Sequence, residues 1–82
     1  MKTLRKSVDE KVLIEFQYPE HVSSSSWVTT GGALSGASYS GDVAYVFLAA
    51  GTLAATYQVT NDATLDDGQI VERSINVMVV DK

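Results

Sequence analysis

Few side chains in this sequence of 82 residues have the types and spacing that chemistry requires. The single histidine, His21, follows a Pro-Glu pair, and no serine lies in the Gly-x-Ser-x-Gly pattern of a nucleophile elbow. Acidic residues near the last predicted turn do not have the spacing of a calcium-binding loop. They are Asp62, Asp66, Asp67 and Glu72. A β domain of this size seldom forms the deep cleft that catalysis needs. We therefore predict that the protein is not an enzyme and has no catalytic residue, no metal site and no cofactor.

Composition narrows the class of protein further. Apolar residues make up 45% of the chain, as in folded globular proteins, and the length allows one domain. The chain has no cysteine, which excludes disulfides and favours assembly in a reducing cytoplasm. Residues 12–81 hold eight carboxylates against one basic residue, Arg73, so we expect no nucleic-acid partner. The apolar runs are too short to cross a bilayer, so we expect no membrane partner.

Alternation of apolar and polar residues predicts β-strands along most of the chain. The first strand covers residues 12–18 and stops at Pro19, which cannot donate to a ladder. An Asp67-Gly68 turn between two apolar runs predicts a hairpin. Further strands are predicted at about residues 25–30, 37–39, 42–49, 55–65 and 69–80. This series predicts an all-β fold, a small immunoglobulin-like antiparallel β-sandwich of about six to seven strands.

One tyrosine has the sequence context of an immunoglobulin-type tyrosine corner. In the run from Ala55 to Val59, Tyr57 lies between a small residue and a core residue. In such a corner the phenol bonds back to the backbone of the preceding loop. An ordinary strand tyrosine is the equal alternative. Trp27 on an early strand and Val59 on a late strand are candidates for the sandwich core.

The strand at residues 42–49 is apolar on both faces. Its two faces are Ala44, Val46 and Leu48, and Val43, Tyr45 and Phe47. Only one face can lie between the two sheets, and each aromatic side chain can bury about 150–250 Å². The second face is therefore covered either by another part of the chain or by a partner protein. Met78 and Val80 raise the same question for the last strand.

Residues 1–11 are predicted to form an extended N-terminal arm in front of the sandwich domain at residues 12–82. The arm is basic, and it either reaches an acidic neighbouring subunit or is an ordinary solvated terminus. Arm residues and outward apolar residues together form the predicted protein–protein interface. Its members are Lys2, Leu4, Arg5, Lys6, Val43, Tyr45, Phe47, Met78 and Val80.

Three segments carry a family resemblance. They read Asp-Val-Ala-Tyr-Val-Phe-Leu-Ala-Ala-Gly-Thr, Thr-Tyr-Gln-Val-Thr-Asn and Asp-Asp-Gly-Gln-Ile-Val-Glu-Arg-Ser-Ile-Asn-Val-Met-Val-Val. This pattern resembles small tailed-bacteriophage virion proteins of the fiber-tail adaptor or neck type, over about residues 6–80. Ser-Ser-Ser-Trp-Val-Thr and Lys6-Ser7-Val8-Asp9 also fit. The family commonly has glycine where this chain has Ala50 and Ala54, and a backbone position that needs positive φ would resist alanine.

The resemblance implies a structural virion protein that acts through protein–protein contacts. Such an adaptor would join the portal–tail structure to fibers or neighbouring tail proteins, with partners of the portal, adaptor, nozzle or fiber type. It would form a homo-oligomeric ring in the tail or neck of the virion, after assembly in the host bacterial cytoplasm. The alternative is a generic immunoglobulin-like binding module of the carbohydrate-binding or adhesin type, with Tyr39 and Tyr45 as stacking platforms.

Overall fold

A computed structural model of the chain describes residues 3–80, and this range contains seven β-strands and no helix. This confirms the predicted all-β fold. The strands are β1 (Thr3–Ser7), β2 (Val12–Gln17), β3 (Val22–Thr29), β4 (Ala33–Ser40), β5 (Val43–Ala49), β6 (Thr56–Leu65) and β7 (Ile70–Val80).

The strands form two sheets that pack face to face. One sheet has four strands in the order β1-β7-β6-β3, and the other has three in the order β2-β5-β4. Neighbours are antiparallel except β1 and β7, which run parallel. The predicted Asp67-Gly68 turn joins β6 to β7, and Gly68 has a positive φ of 90° there. β3 is an edge of the four-stranded sheet and β4 is an edge of the three-stranded sheet. The two strands contact each other, so they lie on the same side of the sandwich.

The core lies between the sheets and is built from alternate residues of each strand. Val46 and Leu48 of β5 are fully buried against Val59 of β6 and Val77 of β7. The inward face predicted for β5 is therefore confirmed, as is Val59 as a core residue. Trp27 packs against this core and stacks on Phe16 of the other sheet, with ring centroids 5.8 Å apart and ring planes 14° apart.

The N-terminal residues, predicted to form an extended arm, are paired with the four-stranded sheet. Residues 3–7 are extended, but they form β1 and pair with β7 over the register Thr3–Asn76 to Ser7–Val80. Leu4 packs against the core, and Lys6 is 1% exposed. The physical reason is that β1 covers one edge of β7, whose inward valines would otherwise face water. The division of the chain at residue 11 stays a prediction, for which a truncation is described below.

Candidate protein–protein interface

The outer face of the three-stranded sheet carries an apolar stripe. Val43, Tyr45 and Phe47 lie half-buried on this face of β5, because their neighbours along the strand point into the core. The register places Leu13 of β2, 46% exposed, beside Phe47. On the β4 side the residues that pair with this stripe are small: Ser35, Ser38 and Ser40. On the β2 side, Glu15 and Gln17 pair with Tyr45 and Val43, so the face is an apolar stripe with polar residues along both borders.

Phe47 lies at the centre of this surface. The Nζ of Lys11 lies 5.1 Å from the centroid of its ring, a cation–π distance. The β4 ladder is interrupted by a bulge between Ser35 and Ser38, where Gly36 has a φ of 61°. A Cβ at Gly36 would lie 3.1 Å from Cδ2 of Phe47, so glycine makes room for the ring. The bulge and the lysine together fix the ring's position on the sheet.

The remaining predicted interface residues do not join this surface. Met78 and Val80 are half-buried on the outer face of the four-stranded sheet, and the exposed Arg5 lies beside Met78 in the register. Leu4 points inward instead and packs on the core. Lys2 lies outside the described residues. The predicted set is thus divided between opposite faces of the sandwich.

Lys6 is not available to a partner. Its Nζ donates hydrogen bonds to the backbone oxygens of Ser7 and Ala50, each at 2.6 Å. Ala50 is the first residue of the loop that follows β5, and its backbone there is left-handed, with a φ of 60°. Charge-assisted hydrogen bonds of this kind offset part of the desolvation of a buried ammonium. Lys6 therefore fastens β1 to the β5–β6 loop, which corrects its prediction as an interface residue.

The structure confirms the tyrosine corner. The backbone N–H of Thr52 donates to the Tyr57 hydroxyl at 2.8 Å. The ring packs so closely on the β3–β4 turn that a side chain at Gly31 would collide with it. Hydrogen bonds from Thr52 lower the pKa of the Tyr57 phenol, with a smaller contribution from the charge of Lys6. This arrangement holds the loop between β5 and β6 against the end of β7.

A buried polar network links the two sheets and was not foreseen from the sequence. The Tyr18 hydroxyl donates to Oδ1 of the fully buried Asn61 at 2.5 Å. Asn61 Nδ2 donates to Ser25 Oγ at 2.7 Å. The Arg73 guanidinium lies 4.8 Å from the centroid of the Tyr18 ring. Burial raises the pKa of Tyr18; the Arg73 charge opposes this shift, and the Asp62 charge adds to it. These bonds satisfy the buried amide of Asn61 between the end of β2 and β3.

The acidic and tyrosine side chains considered above as metal ligands or stacking platforms do not form a common site in the described residues. Asp67 Oδ1 accepts a hydrogen bond from the Gln69 N–H at 3.0 Å, as turn chemistry requires. Within residues 3–80, no group of three His, Asp or Glu side chains could hold a metal ion. Tyr39 and Tyr45 lie on opposite faces of their sheet, and the Tyr39 hydroxyl donates to the Ser23 oxygen at 2.7 Å. They do not form a joint stacking platform.

Sequence reasoning missed one residue of the apolar stripe. Leu13 alternates with the inward Ile14 and was available from the pattern of residues 12–18. The exposed Val28 and Ile70 were also passed over, but they lie on the other sheet, away from the stripe. The alternation shows that Leu13 points outward. That it lies beside Phe47 follows only from the β2–β5 register, which the sequence does not give.

The fold and its surface define a small β-sandwich with a tyrosine corner and a half-buried apolar stripe on the outer face of one sheet. The family of the podophage GP4 fiber-tail adaptor protein gp77 matches residues 6–78, and this chain belongs to that family. Membership makes it a tail adaptor of the phage virion, as the sequence resemblance predicted. No curated protein shows significant similarity to the chain. Residues 3–80 contain no helix long and apolar enough to span a membrane.

Proposed function

We propose that this chain is a multi-copy adaptor that joins the portal–tail structure to fibers or neighbouring tail proteins through the outer face of its three-stranded sheet. The proposal includes a homo-oligomeric ring in the tail or neck and assembly in the host bacterial cytoplasm. Family membership supports the adaptor role. The observation that carries the choice of surface is the stripe formed by Leu13, Val43, Tyr45 and Phe47.

This surface suits a protein partner for physical reasons. The four-stranded sheet presents mainly hydroxyl, amide and carboxylate groups outward on β6, from Thr56 to Thr64. The three-stranded sheet instead presents a central apolar stripe, bordered by small serines on β4 and by Glu15 and Gln17 on β2. Apolar side chains that are already held in place lose little conformational entropy when a partner covers them. Binding there needs no rearrangement of the core.

Replacing Phe47 with Asp tests the proposal. We expect Phe47→Asp to keep its fold, because the ring lies outside the core, and to lose co-purification with the tail proteins encoded by neighbouring genes. Ile70→Asp is the matched control, because Ile70 is 74% exposed on the other sheet and the change in charge is the same.

Circular dichroism and co-purification separate the outcomes. A Phe47→Asp protein that fails to fold would show that Phe47 belongs to the intrinsic core. A folded variant that still captures its tail partners as well as Ile70→Asp does would refute the choice of this face.

A further inference from the structure

The side of the sandwich formed by β3 and β4 is built from strands that have no charged residue. Residues 22–41 contain no Asp, Glu, Lys, Arg or His, although the chain as a whole carries a net charge of −4. This range includes both strands and the turn between them. We call this surface the neutral flank. Seven of the eight residues of β4 are exposed, and Val28 of β3 is 63% exposed.

Both strands of the neutral flank are sheet edges. β3 pairs only with β6, and β4 pairs only with β5. Soluble proteins usually protect such edges with charged residues, proline or bulges. The opposite edges follow this rule, since β1 carries Arg5 and β2 carries Glu15 and ends before Pro19. β4 is interrupted by its bulge, but the β3–β6 register runs unbroken from Ser24 to Thr29.

The backbone of β3 offers unpaired groups along this run. The Thr30 N–H donates to the Gln58 oxygen, and hydrogen-bonded pairs alternate along an antiparallel ladder. The N–H and C=O groups of Ser25, Trp27 and Thr29 therefore point away from β6. The start of the edge is closed, because the Val22 N–H donates to the Gly41 oxygen and the Ser23 oxygen accepts from Tyr39. The open part is Ser25–Thr29.

We propose that the neutral flank is a self-association surface, where a second copy of this chain pairs along the open part of β3. Charge selects this occupant. Two copies of an acidic protein repel each other wherever their carboxylates meet, and like-charge contacts select against a partner. Residues 22–41 bring no charged side chain to a contact between two copies, and the nearest carboxylate on β6 is that of Asp62, which pairs with Ser26. This inference rests on the proposed multi-copy adaptor, in which the neutral flank would supply one kind of contact between copies. A β3–β3 contact joins copies in pairs, so further contacts would close the ring. The surface is a different one from the apolar stripe.

The first test measures self-association by sedimentation equilibrium. Val28→Glu and Ala37→Glu each place a carboxylate on the neutral flank, and Gln69→Glu in the exposed β6–β7 turn is the control with the same change in charge. We expect each flank variant to weaken self-association by about ten-fold or more, and the control to change it by less than about two-fold. Equal effects of all three variants would overturn the proposal, as would a wild-type protein that is monomeric at about 1 mM.

Amide hydrogen exchange of the wild-type protein provides a test that needs no variant. Raising the protein concentration should slow exchange at the amides of Ser25, Trp27 and Thr29. Slowing at β2 or β1 instead would place the contact on the other side and overturn the proposal. The two hypotheses fail separately: the flank variants should keep capture of tail partners, whereas Phe47→Asp should keep self-association.

Discussion

Ala50 and Ala54 hold a left-handed backbone, with φ values of 60° and 69°, and are the two non-glycine residues in the described range that do so. An L-residue pays about 1–2 kcal/mol for this conformation. Glycine avoids that cost but loses more chain entropy on folding, about 0.5–1 kcal/mol relative to alanine. The difference predicts that Ala50→Gly and Ala54→Gly each stabilise the fold by about 0.5–1 kcal/mol.

The chain supplies its own controls, because each of these alanines has an alanine neighbour with ordinary backbone. Ala49 lies in β5, and Ala55 lies just before β6. These neighbours have no left-handed strain to relieve, and each also loses a partly buried methyl group, so Ala49→Gly and Ala55→Gly should destabilise the fold by about 0.5–1 kcal/mol or more. The adjacent substitutions are thus expected to have opposite signs. Neither glycine removes the Ala50 carbonyl that accepts from Lys6.

Urea unfolding followed by circular dichroism measures these differences, with an unchanged m value as evidence that only stability has changed. For a domain of this size, 1 kcal/mol corresponds to about 4–8 °C in melting temperature. If Ala50→Gly lowers stability as much as Ala49→Gly, the left-handed backbone at residue 50 carries no cost, and the reasoning is refuted.

Two further predictions concern β1 and the tyrosines. Deleting residues 2–8 should lower the free energy of unfolding by about 3 kcal/mol or more. The reason is that Val77 and Val79 lose the strand that covers them, and each buried valine contributes about 1.5–3 kcal/mol. A melting temperature within about 2 °C of the full chain would instead show that residues 2–8 can be separated from the fold. In alkaline titration followed by tyrosine absorbance, Tyr57 should ionise below its ordinary pKa and Tyr18 above it. Because folding raises the Tyr18 pKa, its contribution to stability is present below the ordinary value of 10.0 and is lost as pH rises through the folded value. Tyr18→Phe should remove the loss of stability that Tyr18 ionisation causes at high pH. Tyr57→Phe should remove the tyrosine that ionises at the lowest pH in the absorbance titration. If either curve is unchanged in its variant, the pKa direction given for that tyrosine is wrong.

Features set by neighbouring residues were predictable from the sequence. The alternation in residues 43–48 identified which side chains of β5 enter the core, and Asp67-Gly68 located the last hairpin. Tyr57 was predictable because the tyrosine corner closes on Thr52, only five residues upstream. The two faces of β5 also supplied the centre of the candidate interface without any knowledge of strand order.

Features that depend on distant pairs were not predictable in the same way. Lys6 looks like a surface lysine until the loop after β5 brings the Ala50 oxygen to it, across 44 residues of sequence. The parallel pairing of β1 with β7 joins the two ends of the chain and leaves no local signal. Arg5, Met78 and Val80 were grouped with Phe47 because pattern shows which residues point outward but not which sheet they belong to.

The loop between β5 and β6 explains why one chain end can be held without disulfides. Its Ala50 oxygen accepts from Lys6, its Thr52 N–H donates to Tyr57, and its Ala54 N–H donates to the Val79 oxygen at 2.9 Å. Each bond ties the loop to a different strand: β1, β6 and β7. The left-handed alanines let these groups point in different directions within five residues. The left-handed backbone at Ala50 and Ala54 thus accompanies the hydrogen bonds by which the loop holds β1 in the four-stranded sheet. Because β1 pairs in that sheet, it does not cover the outer face of the three-stranded sheet, which is the candidate interface.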